Sequence, residues 1–240
     1  MWLSEEAIFA KGKAIRGGIP VCWPWFADHP SEPDYPAHGF ARTRAWEVVE
    51  TGKDLHFSRL TLALKDSEET RAWFPHAFEL EMRVILSKTL KLQFTVINLG
   101  ETEFTYTGAL HTYFAVSHID RVSVEGLKGC TYIDSIDGGQ RKTQEGPIRF
   151  AEEVDRIYVD TEDSCVIRDE EWKRDTRIVK SGSRSTVVWN PWIAKAKRMA
   201  DFGDDEYEEM VCVETTNAAE DAVTVPGQGS HQIELEIAAS

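Results

Sequence analysis

LEMRVILSKTLKLQFTVIN, residues 80–98, is the stretch of sequence that decides the fold. Two apolar series run through it at every second position: Leu80, Met82, Val84 and Leu86, then Leu90, Leu92, Phe94 and Val96. Successive side chains of a β-strand point to opposite faces of a sheet, so this period is typical of a strand with one buried face. The stretch therefore predicts two such strands.

The same alternation recurs on both sides of this stretch, at Leu60, Leu62 and Leu64 and at Ile233, Leu235 and Ile237. Turn signals separate the runs, namely Asn98-Leu99-Gly100, Asp137-Gly138-Gly139, Ser181-Gly182-Ser183 and Pro226-Gly227. Strands that recur this often predict an all-β fold, a large antiparallel β-sandwich, as one domain over residues 1–240. Helix is expected only at residues 193–200 and in a short polar stretch at 66–73.

Composition bounds the possible functions. The chain has 240 residues, with 27 Lys or Arg and 41 Asp or Glu, for a net charge of −14. Without a basic tract we expect no binding to nucleic acid or to an anionic membrane. No apolar run approaches the roughly 20 residues that span a bilayer, and the N-terminus lacks the pattern of a signal peptide. The four cysteines form no Cys-x-x-Cys pair, so we expect a cytoplasmic protein with reduced thiols.

Residues 15–46 break the alternation. They hold five of the nine prolines and three of the eight tryptophans, and a proline removes a backbone donor, so regular strands are not expected throughout. Long irregular loops in compact proteins are usually functional. Arg16 before Gly17-Gly18 and Arg42 in HGFAR could together hold a phosphate or a carboxylate. For either arginine alone, a surface ion pair is the simpler interpretation.

Two titratable residues lie in apolar strand-like segments. His111 in GALHTYF would share a strand face with Ala109 and Tyr113, and its ordinary pKa suits proton transfer near neutral pH. From spacing alone, a structural histidine is the favoured reading. Glu214 in MVCVETTN ends an apolar strand face, where burial would raise its pKa and make it a competent base. A strand-end carboxylate that reaches solvent is equally compatible with the pattern.

Other acidic residues are less informative. Asp155 stands in EEVDRIYVD, and the run from Asp201 to Glu209 is typical of a solvated face. No EF-hand spacing, Walker A motif, dinucleotide fingerprint, serine elbow or His-Glu-x-x-His motif occurs, and no metal is predicted.

Seven segments, taken in order, resemble the hexose-6-phosphate mutarotase family, also called glucose-6-phosphate 1-epimerases, relatives of the aldose 1-epimerases. They are AIRGGIPVCWPWF (14–26), AHGFAR (37–42), GALHTYFAV (108–116), VEGLKG (124–129), VDRIYVD (154–160), VVWNPWIAKAKRMADFGDDEY (187–207) and MVCVE (210–214). No single segment is decisive, but the ordered set is highly specific and covers most of the chain.

The resemblance implies a β-supersandwich of the galactose-mutarotase type and an isomerase that interconverts the α and β anomers of a hexose 6-phosphate. It implies no cofactor and a small sugar phosphate as partner, and we expect a monomer. It implies His111 and Glu214 as the catalytic residues. It places sugar or phosphate contacts on Arg16, Arg42 and Asp155.

Two departures from the family pattern stand out. The pattern extends several strands upstream of IRGG, so we expect that this chain lacks some N-terminal strands. Ala37 stands where relatives often carry a polar residue, so that substrate contact is either absent or made by His38.

Two other functions compete with the epimerase. A non-catalytic β-sandwich that binds a sugar phosphate would keep the pocket without turnover, and the short N-terminus favours it. A glycosidase would need two carboxylates that flank the scissile bond, whereas a His and a carboxylate suit proton transfer better.

Overall fold

A computed structural model describes residues 1–240, and β-strands dominate it. The eighteen strands are β1 Val21–Cys22, β2 Glu47–Lys53, β3 Ser58–Lys65, β4 Phe78–Leu86, β5 Leu90–Asn98, β6 Phe104–Tyr106, β7 Gly108–Leu110, β8 Tyr113–Ala115, β9 Val122–Glu125, β10 Thr131–Asp134, β11 Gln140–Thr143, β12 Val154–Tyr158, β13 Cys165–Asp169, β14 Arg174–Ser181, β15 Ser185–Asn190, β16 Met210–Asn217, β17 Val223–Val225 and β18 Ser230–Ala239. The helices are α1 Glu68–Arg71 and α2 Trp192–Ala196, with short 3-10 turns at Ala41–Thr43, Ile119–Arg121, Glu206–Glu209 and Ala219–Asp221.

Two large antiparallel sheets form the fold, which confirms the predicted β-sandwich. The first sheet runs β1-β7-β16-β15-β12-β10-β11, with β8 also paired to β16. The second runs β2-β3-β4-β5-β18-β14-β13-β9, and β17 pairs with β6 in a small separate ribbon. Both large sheets contribute apolar side chains to one buried core, in which Val188 and Val213 of the first sheet join Phe94 and Leu235 of the second.

The stretch at residues 80–98 forms the hairpin of β4 and β5, in which Met82 lies opposite Phe94. Its apolar series faces the core only in part. Leu80 and Phe94 are buried. Met82 and Leu92 also line an open apolar groove of about 640 Å³ beside the N-terminal residues.

Residues 15–46 contain little regular structure, as predicted. They carry only β1, one 3-10 turn and isolated bridges, among them Trp23 to Gly39. Their aromatic residues nevertheless anchor them, because Trp23 is fully buried against the rings of Phe40 and Phe78. The segment is therefore fixed against the core, and its strand β1 pairs with β7 of the first sheet.

Three of the four cysteines are buried and all four are free thiols, as expected. The predicted helix at 193–200 is shorter than expected, because the chain after Ala196 continues in single turns such as the bond from the Met199 N–H to the Ala196 carbonyl. None of the helices has the length and the apolar character to cross a bilayer.

Candidate active site

A row of side chains crosses four strands of the first sheet on its outer face. Asp155 of β12 lies opposite Trp189 of β15, Trp189 lies opposite Cys212 of β16, and Cys212 lies opposite Tyr113 of β8. Residues directly opposite in antiparallel strands point to the same face. The register alone therefore brings four positions that span 100 residues of sequence into one line.

Glu214 lies in the neighbouring row. It faces Val187 of β15, two positions along β16 from Cys212, and so it points to the same outer face. All eight residues of β16 are buried, because the irregular segment 15–46 and the residues around α2 lie over this face of the sheet. Glu214 is therefore not at a solvated strand end.

His111 lies where the strand pairing is interrupted, between β7 and β8. A single strand through this segment is not found, because β7 ends at Leu110 and β8 begins at Tyr113. The expected common face is nevertheless kept, since Ala109 lies opposite Thr216 and Tyr113 opposite Cys212, on the face of β16 that also carries Glu214. At the break the His111 N–H donates to the Pro20 carbonyl at 3.0 Å. The imidazole then stacks on the Tyr113 ring, with centroids 4.8 Å apart and planes 12° apart.

His38 is held over the site by an unusual turn. Its backbone has a φ of 64°, in the left-handed region, and its N–H donates to the Ala27 carbonyl at 2.7 Å. The Ala27 N–H donates back to Nδ1 of His38 at 3.2 Å. An Nδ1 that accepts a hydrogen bond leaves the proton of a neutral imidazole on Nε2. Burial, with help from Arg42, lowers the pKa of His38 to about 3, so the ring is a neutral Nε2–H donor.

These elements enclose one cavity of about 280 Å³. Its lining residues are Arg16, Phe26, Ala37, His38, Arg42, His111, Asp155, Val187, Trp189, Lys195, Met199 and Glu214. All six site residues expected from the sequence are among them, although they are spread between residues 16 and 214 of the chain. Their individual roles stay predictions.

His111 and Glu214 face each other inside the cavity. Nε2 of the imidazole lies 3.4 Å from Oε1 of the carboxyl, with side chains 8% and 1% exposed. Burial opposes charge on both groups. It raises the pKa of Glu214 well above its ordinary value, with a further contribution from Asp155. It lowers the pKa of His111 well below its ordinary value, with contributions from His38 and Arg42.

Arg16 is engaged within the protein. Its Nε and Nη2 groups donate to Oδ1 of Asp201 at 3.2 and 3.1 Å, and its Nη1 group donates to the Tyr113 hydroxyl at 3.0 Å. Both partners of the ion pair are only 21% exposed. Because Tyr113 stacks on His111, Arg16 and Asp201 together hold the ring that supports the imidazole.

Arg42 and Lys195 supply the remaining positive charge. One Nη group of Arg42 donates to the Ala37 carbonyl at 2.8 Å, its buried Nε has no partner, and no carboxylate lies within 4.0 Å. Lys195 extends from α2 to Glu153 at 3.1 Å and Asp155 at 3.4 Å. The guanidinium of Arg42 is thus the least compensated charge of the site, and it favours an anionic ligand.

Sequence reasoning did not single out Lys195, Tyr113 or Trp189 as site residues. Lys195 looks like an ordinary surface lysine in a helical stretch, and only α2 brings it to the cavity. Trp189 and Tyr113 carried a signal that could have been used. Each alternates with core residues, so each had to face the side of the strand away from the core.

Comparisons with known proteins show which proteins this chain resembles. The family model described as aldose 1-epimerase matches residues 1–238. A protein of Cenchrus ciliaris named "Putative glucose-6-phosphate 1-epimerase" is 40% identical over 238 residues, which cover 95% of this chain and 71% of that protein. One of the same name from Escherichia coli K12 is 39% identical over 221 residues, 92% of this chain and 73% of its own. The crystal structure of a protein described as a "putative mutarotase" from Salmonella typhimurium superposes with a TM-score of 0.93 at 34% identity, over 100% of this chain and 79% of that one.

Proposed function

The chain belongs to the aldose 1-epimerase family, and on this premise we propose that it interconverts the α and β anomers of hexose 6-phosphates, with glucose 6-phosphate as its substrate. One observation carries the proposal. The facing pair His111 and Glu214 lies in the same cavity as the uncompensated guanidinium of Arg42. An acid–base pair beside an anion site is what a sugar phosphate requires.

Anomer exchange needs two coordinated proton transfers. A base removes the proton of the anomeric hydroxyl, and an acid protonates the ring oxygen while the bond from C1 to that oxygen breaks. The open aldehyde rotates about the C1–C2 bond. The reverse transfers then close the ring on the other face of C1, so that no atom or electron is gained or lost.

Glu214 acts as the base toward the hydroxyl in this proposal, and His111 acts as the acid toward the ring oxygen. The resting pair holds one proton, which burial places on Glu214. The active form carries that proton on His111. Moving it across the gap of 3.4 Å changes neither the proton count nor the net charge of the pair. Sugar hydroxyls that hydrogen-bond to both groups favour this charged form.

The phosphate binds against Arg42 and Lys195. Arg42 has donors to spare, and Lys195 lies between the cavity and two carboxylates, so a dianion at this end gains charge-assisted hydrogen bonds. Phosphate binding far from C1 fixes the orientation of the sugar ring without taking part in its chemistry. His38 contributes a neutral Nε2–H that can donate to a sugar oxygen at any physiological pH.

The net charge of −14 bears on how an anionic substrate reaches the site. A negative protein slows the approach of a dianion at long range. Recognition therefore depends on positive charge concentrated within the cavity. Arg16 adds its charge to that field, while its hydrogen bonds to Asp201 and Tyr113 commit most of its donors.

Exchange NMR on glucose 6-phosphate tests the proposal. The proposal expects the protein to raise the rate of exchange between the α and β anomeric signals well above the spontaneous rate. A protein that binds the sugar phosphate and leaves the exchange rate at its spontaneous value is a binding module, and the proposal is then wrong.

A further inference from the structure

Three potential metal ligands converge beside the cavity, which His111 and Glu214 line directly. The donor atoms of His111, Cys212 and Glu214 all lie within 4.8 Å of one another, and all three residues are buried. Cys212 and Glu214 are two positions apart on β16 and share its outer face. His111, in the interruption between β7 and β8, lies against them. The set joins one nitrogen, one sulfur and one oxygen donor.

Two of these residues also have polar atoms with no partner. Oε2 of Glu214 and Nδ1 of His111 are buried and make no hydrogen bond. Most buried polar atoms in folded proteins are paired, so an unpaired atom calls for an explanation. Glu214 is 1% exposed, and its second oxygen remains free to bind an ion.

We propose that His111, Cys212 and Glu214 form a binding site for a divalent cation of zinc type, and that the bound ion inhibits the enzyme. The inhibitory part rests on the proposed function, whereas the binding part does not. The bound ion does not act as a cofactor, because it binds both groups that the proton transfers need.

The donor chemistry selects zinc over the abundant hard cations. Zn²⁺ binds imidazole nitrogen, thiolate and carboxylate at about 2.0–2.3 Å. Mg²⁺ and Ca²⁺ prefer sites built from oxygen alone. With three ligands from the protein, a fourth tetrahedral position remains for water.

The charge balance accommodates the ion despite the positive residues nearby. Binding displaces the thiol proton of Cys212 and the carboxyl proton of Glu214 to solvent. Two anionic ligands and one divalent cation sum to zero, so Arg16, Arg42 and Lys195 face no added charge. Burial raises the pKa of Cys212 well above its ordinary value, and Glu214 adds to this effect. The ion must displace these protons, so its affinity rises with pH.

Inhibition follows directly from the ligand set. An ion that holds Glu214 and His111 leaves no base for the anomeric hydroxyl and no acid for the ring oxygen. A bound sugar in turn covers the cavity side of the pair. Zinc and glucose 6-phosphate therefore compete.

Cobalt provides a readout that does not depend on turnover. Co²⁺ takes zinc sites, and bonding to a thiolate gives an intense charge-transfer band in the near ultraviolet. We expect one equivalent of Co²⁺ to produce this band in the wild-type protein and excess Zn²⁺ to abolish it. Carboxylates on the acidic surface give no such band, so adventitious ions there do not interfere.

Cys212→Ala is the diagnostic variant, and Cys165→Ala, at a second buried cysteine in β13, is its matched control. Losing even a group that only orients a metal ligand costs about 10- to 100-fold in affinity. We expect Cys212→Ala to lose the band and to raise the zinc concentration for half-inhibition at least about 10-fold. We expect Cys165→Ala to behave like the wild type. X-ray absorption on the zinc-loaded wild type, which needs no variant, should show one sulfur ligand.

The proposal is overturned if the wild type gives no thiolate band, or if Cys212→Ala keeps the band. If the protein proves not to exchange anomers at all, the cobalt spectra still decide whether the site exists. Failure of the proposed function and failure of this inference are thus separable.

Discussion

Nε2 of His111 lies 3.4 Å from Oε1 of Glu214, and both side chains are buried beneath residues 15–46. This separation is longer than a normal hydrogen bond. The pair is built from the break between β7 and β8 on one side and from the outer face of β16 on the other.

The pH dependence of turnover should follow from the single proton of this pair. Activity requires one proton on the two groups together. The acid limb of kcat/KM marks the point at which the pair gains a second proton, which binds to His111. Burial lowers the pKa of His111 well below the ordinary 6.5 of a histidine. The alkaline limb marks the loss of the proton from Glu214, well above the ordinary 4.5. The account therefore predicts a flat kcat/KM through neutral pH.

Measurements between pH 5 and 9 check this, with free glucose as a second substrate, because the phosphate itself titrates near pH 6. A bell-shaped profile confined between 4.5 and 6.5 would mean that the two groups titrate at their ordinary values. The proton-sharing interpretation would then be wrong.

Lys195→Met should impair recognition of the phosphate alone. Methionine keeps an unbranched side chain of similar length and removes the charged Nζ, which lies 5.6 Å from the centre of the Trp189 ring. A hydrogen bond to a charged group contributes about 1.5–3 kcal/mol, so KM for glucose 6-phosphate should rise about 10- to 100-fold. The rate on glucose should not change. Lys197→Met, at an exposed lysine near the end of α2, is the matched control and should leave both substrates unaffected. An equal loss on both sugars would place Lys195 outside the phosphate site.

Gly39→Ala should destabilise the protein more than an ordinary glycine substitution. Gly39 has a φ of 68°, and a Cβ there would lie 2.0 Å from the Trp23 carbonyl oxygen. Gly129→Ala is the control, since its φ of 85° imposes the same kind of strain with no atom within 4 Å. The left-handed backbone alone costs about 1–2 kcal/mol for an L-residue. Urea unfolding should show at least this loss for Gly129→Ala and a larger one for Gly39→Ala. Equal losses would mean that the contact with Trp23 does not constrain the loop.

His38→Asn should reduce the acid sensitivity of the fold. Folded His38 stays neutral down to about pH 3, whereas in the unfolded chain it gains a proton below about 6.5. The unfolded state then binds more protons, so His38 lowers stability as pH falls through this window, by at most about 1.4 kcal/mol per pH unit. Asparagine tolerates the left-handed backbone and can still accept from Ala27. Urea midpoints at pH 4–7 should fall less steeply for this variant than for the wild type, or for the control His56→Asn at an exposed histidine. Identical slopes in all three would contradict the neutral state of His38 in the folded protein.

The strands and the composition of the site were within reach of sequence reasoning, for physical reasons that particular residues show. The alternation of apolar and polar residues at 80–98 indicates strands with one buried face. It can be seen in the sequence because it depends only on neighbouring residues. The resemblance to a family then supplied His111 and Glu214, which their spacing alone left undecided. The structure places them in one cavity with Arg42.

What sequence could not supply depends on contacts between distant residues. The break at His111 exists because its N–H pairs with the Pro20 carbonyl, some 90 residues away in the chain. The partnership of Arg16 with Asp201 spans 185 positions, and it turns a residue expected to bind ligand into one that also supports Tyr113. Lys195 reaches the cavity only because α2 brings it beside Asp155 of β12. No local pattern encodes these relationships.

The central claim is tested most directly by exchange NMR on the variants His111→Asn and Glu214→Gln. Thermal unfolding verifies that each variant is folded. General acid–base catalysis contributes about 10²- to 10⁴-fold, so each variant should lose anomer exchange by that factor. Because the two groups act as a unit, the double variant should exchange anomers only slightly more slowly than the less active of the two single variants. Folded variants that exchange the anomers of glucose 6-phosphate as fast as the wild type would contradict the account.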